Sequence, residues 1–213
     1  ALWVAWSFSI PIWLILVGFL FHAMALGHLN KAGAIAKNQN GIDLLNGGQL
    51  VAASSRFEEL ARTEHGQVGH AVYVFNRAVA FMLEGKLRRA MSLFNAVHHS
   101  RAFRYGPNRS YAPFLYAEMA ACYGLLDIRT EAHQFRQKAN QLLHPEDIHR
   151  IAFADAVLAL RDGQVSEAGR IIDAHGPSAR GLLRPPTFKA LLVLRLYTLY
   201  LSGDTGSADY EHL

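Results

Sequence analysis

Small residues recur along this chain at a spacing that paired helices satisfy and few other architectures do. Gly48, Gly85 and Gly163 each separate two helical apolar patterns, and each is followed five residues later by an alanine, Ala53, Ala90 and Ala168. Asp127 with Ala132 takes the same place between the second and third of these, so the successive intervals are 37, 42 and 36 residues. Seven positions before each turn stands another small residue, Gly41, Ala78, Ala120 or Ala156, and three beyond it comes Leu44, Phe81, Tyr123 or Ala159. An antiparallel helix pair needs a tight turn, which glycine permits, and a small side chain where the two axes approach most closely. Recurrence at this length is the mark of stacked helix pairs. The alternative is a non-repeating helical bundle. Strand signals are nearly absent, and the polar stretches Arg104 to Arg109 and Gly176 to Pro186 read as loops.

The second constraint lies at the start. No Asp, Glu, Lys or Arg precedes Lys31, although the 213 residues carry 21 basic and 17 acidic side chains. Leu2 to Leu26 is almost continuously apolar, and about 20 such residues cross the hydrocarbon core as a helix. The sequence therefore divides into a transmembrane helix over 1–28, a linker over 29–37 and a helical domain over 38–213. Trp3, Trp6 and Trp13 suit a membrane interface. A cleaved signal peptide is the competing reading, with Ile10 to Phe21 as its apolar core and Ala23-Met24-Ala25 as its cleavage site; the length of the run favours an uncleaved single-pass anchor. The chain does not open on Met, so residues upstream are expected. Lys31 and Lys37, taken alone, favour the cytoplasmic side for the helical domain, and basic residues upstream of the run would reverse that orientation.

At its repeated positions the sequence resembles the tetratricopeptide repeat (TPR) family. Val74 to Val97 carries Asn76, Ala78, Phe81, Gly85, Ala90 and Phe94 in phase, and Ile42 to Leu60 follows the same pattern. Tyr116 to Ala139 departs from it, because Asp127 replaces the turn glycine and Phe135 sits one place early, while Ala152 to His175 lacks both aromatics. Thr187 to Gly203 looks like the first helix of a fifth pair. The expected fold is thus all-α: a transmembrane helix followed by a TPR-like α-solenoid of about four helix pairs and a terminal helix.

In that family the first helix of each pair faces the concave side. The resemblance therefore implies a partner-binding groove lined by Val72, Phe75, Val79, Met82, Phe114, Phe153, Val157, Tyr197 and Tyr200, with Ala121 and Val193 beside them. Relatives that grip acidic tails do so with cations on these helices, and here the places carry Phe, Val and Ala. An apolar groove suits an amphipathic partner helix or a further helix of the same chain. These side chains are alternatively the solenoid core.

The expected function is a non-catalytic, membrane-anchored interaction scaffold or assembly subunit, with other subunits of a membrane complex and the bilayer as partners and no nucleic acid. His22, one turn after Gly18 in the apolar run, carries the alternative: a pigment- or haem-bearing accessory subunit of a photosynthetic or respiratory complex with His22 as ligand. No resident cofactor or metal is otherwise expected. His144 and His149 straddle Pro145 without the spacing of a helical metal pair, and Cys122, the single cysteine, reads as a small core residue. Arg101, Arg104 and Arg109, interleaved with Phe103 and Tyr105, form a candidate basic contact loop. No phosphate-binding glycine loop, nucleophile elbow or paired-carboxylate motif is present in the sequence.

Overall fold

The computed structural model describes residues 36–63, 67–182 and 185–203. By contact the chain divides into two units, Ala1–Gln39 and Asn40–Leu213, and the elements discussed below lie in the second, apart from residues 36–39 at the start of the first helix. The expected transmembrane helix, with His22, lies outside the described residues, whereas residues 36 and 37 of the expected linker are helical. The helices are α1 (36–46), α2 (Leu50–Thr63), α3 (Gln67–Leu83), α4 (Leu87–Ser100), α5 (Ala112–Leu125), α6 (Arg129–Leu142), α7 (Ala152–Arg161), α8 (Val165–Leu182) and α9 (Pro185–Ser202). Short 3-10 stretches, Gly106–Tyr111 and Pro145–Ile151, lead into α5 and α7. The loop expected over Gly176 to Pro186 is corrected: α8 runs through Pro177 to Leu182, and Pro185 opens α9.

One turn is built four times. At its centre Gly48, Gly85, Asp127 or Gly163 adopts a left-handed φ of 76°, 76°, 60° or 74°. In the first copy the N–H of Gly48 donates to the Leu45 carbonyl at 3.1 Å and that of Gln49 to Leu44 at 2.9 Å. Lys86 to Phe81, Ile128 to Tyr123 and Gln164 to Ala159 repeat the longer bond at 2.8, 2.9 and 2.8 Å. This is the Schellman arrangement, which satisfies carbonyls the ending helix would leave orphaned. The residue after the turn centre then accepts from the alanine four places on, as Lys86 does from Ala90 at 3.0 Å. Two residues thus end one helix and start the next.

The small residues on either side seat the pair. Ala53, Ala90, Ala132 and Ala168 are fully buried, as are Ala78, Ala120 and Ala156. Gly41 occupies the corresponding place in the first pair, where a Cβ would lie 2.8 Å from Cζ of Phe57 and closer still to Cε1. In the third pair Arg136 stands where Phe57, Phe94 and Ile172 fill the core elsewhere. Its guanidinium instead donates two bonds to Asp155 on α7, at 2.9 and 3.2 Å. The aromatic shifted one place, Phe135, stacks on Tyr123 at 5.5 Å with nearly parallel rings.

Arginines tie successive helices together. Arg77 on α3 reaches Glu58 on α2 at 2.7 Å, and Arg195 on α9 reaches Asp173 on α8 at 2.7 Å. Arg161 on α7 donates to the carbonyls of Gly124 and Leu125 at the end of α5, at 3.0 and 2.9 Å.

The apolar groove expected from the first helices is corrected here. Val72, Phe75, Val79, Met82, Phe153 and Val157 are buried in the main core cluster of the unit. Two segments help fill the space. The connection after α4 brings Phe103 within 5.8 Å and Tyr111 within 6.3 Å of the Phe75 ring, and α9 packs against α3, α7 and α8, with Leu191 fully buried in the same cluster.

Two glycine substitutions separate the turn from the seat. Gly85→Ala has open space for its Cβ and pays for the left-handed backbone alone, an expected loss of about 1 kcal/mol in denaturant unfolding. Gly41→Ala forces Phe57 to move, an expected loss of about 1–3 kcal/mol from overpacking. Adding Phe57→Leu to Gly41→Ala should cost less than the sum of the two single changes; strict additivity would show that the ring does not set the seat.

Candidate functional site

Of the nine residues expected to line a groove, Tyr197 and Tyr200 are exposed, at 51% and 68%, and Phe114 is half-buried. Both tyrosines lie on α9. The neighbouring Val193, Leu196 and Leu201 are also exposed, so the helix presents an apolar strip on the side opposite Leu191. A helix apolar on all sides is normally covered on all sides. α9 has Thr187, Leu191, Thr198 and Leu199 buried beneath it and an open face above.

The repeat identifies that open face. Gly203 takes the φ of the earlier turn glycines, 75°, and its N–H donates to the Tyr200 carbonyl at 3.2 Å, the first bond of the same turn. Counted back ten, seven, six and three residues from Gly203 stand Val193, Leu196, Tyr197 and Tyr200. The same places hold Phe75, Ala78, Val79 and Met82 before Gly85, all buried. Before Gly163 they begin with Phe153, Ala156 and Val157, again buried. The strip therefore falls in the register that the earlier pairs bury, and it includes a bulky Leu196 at the place the others keep small. Sequence reasoning had both tyrosines but not Leu196 or Leu201, whose exposure follows from where α9 packs and not from local pattern.

The basic residues are divided. Arg101 and Arg104 line one recess with His98 and His99, whereas Arg109 is exposed on the following 3-10 stretch and is not among the lining residues. His149 meets His175 on α8, Nδ1 to Nδ1 at 3.0 Å, and not His144. In this pair one ring nitrogen donates and the other accepts. Among the described residues no cluster of three or more His, Cys, Asp or Glu side chains is placed to hold a metal ion. Cys122 is fully buried, with its thiol against the Leu87 carbonyl at 3.5 Å. Burial, and then the charge of Glu118, push the thiol up to about 12, far from the depressed range of reactive cysteines. Among the described residues no helix is long and apolar enough to cross a membrane.

No family model and no curated protein matches the chain. Among solved structures it is similar to a Podosopora anserina kinesin light chain with nearly identical TPR-like repeats, at 18% identity and a TM-score of 0.48, covering 80% of this chain and 86% of that one. At that level the similarity carries no weight of its own, and the repeat rests on the turns and seats described above.

Cys122 supplies a direct check of the packing. In the native protein near neutral pH it should resist a thiol-specific disulfide reagent, and in denaturant it should react at once. Rapid labelling of the native protein would contradict the buried sulfur.

Proposed function

We propose that this chain is a non-catalytic interaction scaffold that holds a helix of a partner protein on the exposed face of α9. The observation that carries the reading is the apolar strip Val193, Leu196, Tyr197 and Tyr200, exposed in the register that α3 and α7 bury. Those places suit a helix laid lengthwise, with apolar side chains facing the two tyrosines, which supply large contact area at small entropic cost.

The charge-free run before Lys31 supports a second element of the proposal, that residues 1–28 are an uncleaved transmembrane helix and the partner belongs to a membrane complex; Lys31 and Lys37 behind the run favour the cytoplasmic side for the helical domain. An anchored scaffold restricts its partner to the bilayer surface and raises the effective concentration of both.

The decisive experiment replaces Leu196 and Tyr200 together with Glu. The double variant should keep its helical circular dichroism. A partner captured by the wild-type chain, once purified and titrated back, should bind the variant at least about tenfold more weakly. Equal binding would exclude the α9 face, and a wild-type homodimer that the double variant dissociates would make the occupant a second copy. For the anchor, the full chain should stay with membranes through alkaline extraction and a chain lacking residues 1–28 should not, while protease added to sealed vesicles should locate the helical domain. Release of the full chain by alkali would exclude the span.

A further inference from the structure

Two histidines far apart in sequence meet through the same ring atom. His149, in the 3-10 stretch Pro145–Ile151, and His175, on α8, bring their Nδ1 atoms to 3.0 Å, with ring centres 5.1 Å apart and planes tilted by 58°. Each is positioned by a buried neighbour on its own element, Ile151 two residues after His149 and Ile172 three before His175. The His149 carbonyl also accepts from the Ala152 N–H as α7 begins. Among the described residues each ring has the other as its polar partner. Both are half-buried, so solvent reaches the pair.

Two Nδ1 atoms at this distance can be joined in two ways. A neutral imidazole carries a proton on one nitrogen and a lone pair on the other. One ring can therefore donate its Nδ1–H to the lone pair of its partner, or both lone pairs can converge on a cation. Metal–nitrogen bonds of about 2.0–2.1 Å to atoms 3.0 Å apart enclose an angle of about 91–97°. That is narrower than a tetrahedral angle and matches two adjacent corners of a square-planar or tetragonal site.

The other described histidines do not share this arrangement. Nδ1 of His99 is taken up by the Asn95 carbonyl at 2.6 Å, and the adjacent His98 ring meets it edge-on. Nδ1 of His70 lies against the Ala61 carbonyl at 2.9 Å, and Nε2 of His133 lies 3.2 Å from Asp162. On α8 the nearby Asp173 is held by Arg195, which leaves the two imidazoles to act as ligands.

We propose that His149 and His175 bind one copper(II) ion in cis through their two Nδ1 atoms. Imidazole suits this ion, which stands highest in affinity among the divalent first-row metals and takes tetragonal geometry. The protein supplies two ligands, and water fills the remaining positions. The ion replaces the shared proton: the donating ring loses its Nδ1 proton to solvent and gains one at Nε2, both rings stay neutral, and two nitrogen–metal bonds form where one hydrogen bond breaks. Bound there, copper fastens the 3-10 stretch before α7 to α8. The site does not depend on the reading of the α9 strip.

The test titrates copper(II) into the purified full chain against a chromogenic chelator, with electron paramagnetic resonance counting the bound nitrogens. The wild-type chain should hold one equivalent tightly, show two equatorial nitrogens and gain in Tm. His149→Gln and His175→Gln, made separately, should each weaken that equivalent at least about tenfold and remove the gain in Tm. The two substitutions lie on different elements, so a fold disturbed by one leaves the other to decide, and helical circular dichroism identifies which is intact. His98→Gln combined with His99→Gln should leave the equivalent in place. No chelator-resistant copper in the wild-type chain, a site unchanged in either folded single variant, or its loss in the His98 and His99 control would overturn the proposal.

Discussion

The left-handed residue at the end of each first helix is the constraint on which the rest of the unit depends. With φ near 75° at Gly48, Gly85 and Gly163, two backbone N–H groups turn back onto the last carbonyls, and the chain reverses within two residues. That reversal fixes the phase of everything beside it: the alanine five residues on must face the small residue seven residues before, and both must be small because the helix axes meet there. Each bond contributes about 1 kcal/mol net. Their effect is geometric more than energetic, since a longer or differently shaped turn would rotate the second helix and lift its apolar face off the first.

Asp127 shows how far the turn tolerates exchange. It holds φ at 60° with the same pair of bonds, Asp127 to Gly124 and Ile128 to Tyr123, and aspartate is among the few side chains that enter this region at modest cost. The third pair also moves its aromatic by one place and fills the gap with an arginine bridged to the next pair. The repeat is therefore kept in backbone geometry more strictly than in side chains, which is why no single unit shows the whole pattern in the sequence.

The turns and seats were legible because they are local: a glycine or aspartate followed by an alanine at fixed distance is set by the pair itself. The groove was not. Phe75 reads as a first-helix residue facing inward, and it does face inward, but whether that side is open depends on where Phe103, Tyr111 and α9 come to rest. Those contacts join residues far apart in sequence and leave no periodic trace. The same reason hid the face of α9, a largely apolar helix whose pattern gives no clue to which half stays bare. Pro177 misled in another way: it reads as a break, yet α8 continues through it to Leu182.

The bonds from Arg161 to Gly124 and Leu125 have a consequence for how the unit comes apart. The acceptors belong to the last turn of α5, immediately before Asp127, the one turn centre of the four that lacks glycine. A side chain of the fourth pair therefore clasps the least permissive turn of the third. Strain applied to α7, whether by heat, by denaturant or by a force along the chain, is passed directly to the hinge between α5 and α6, so these two pairs should open together as one cooperative block while the first two pairs remain closed.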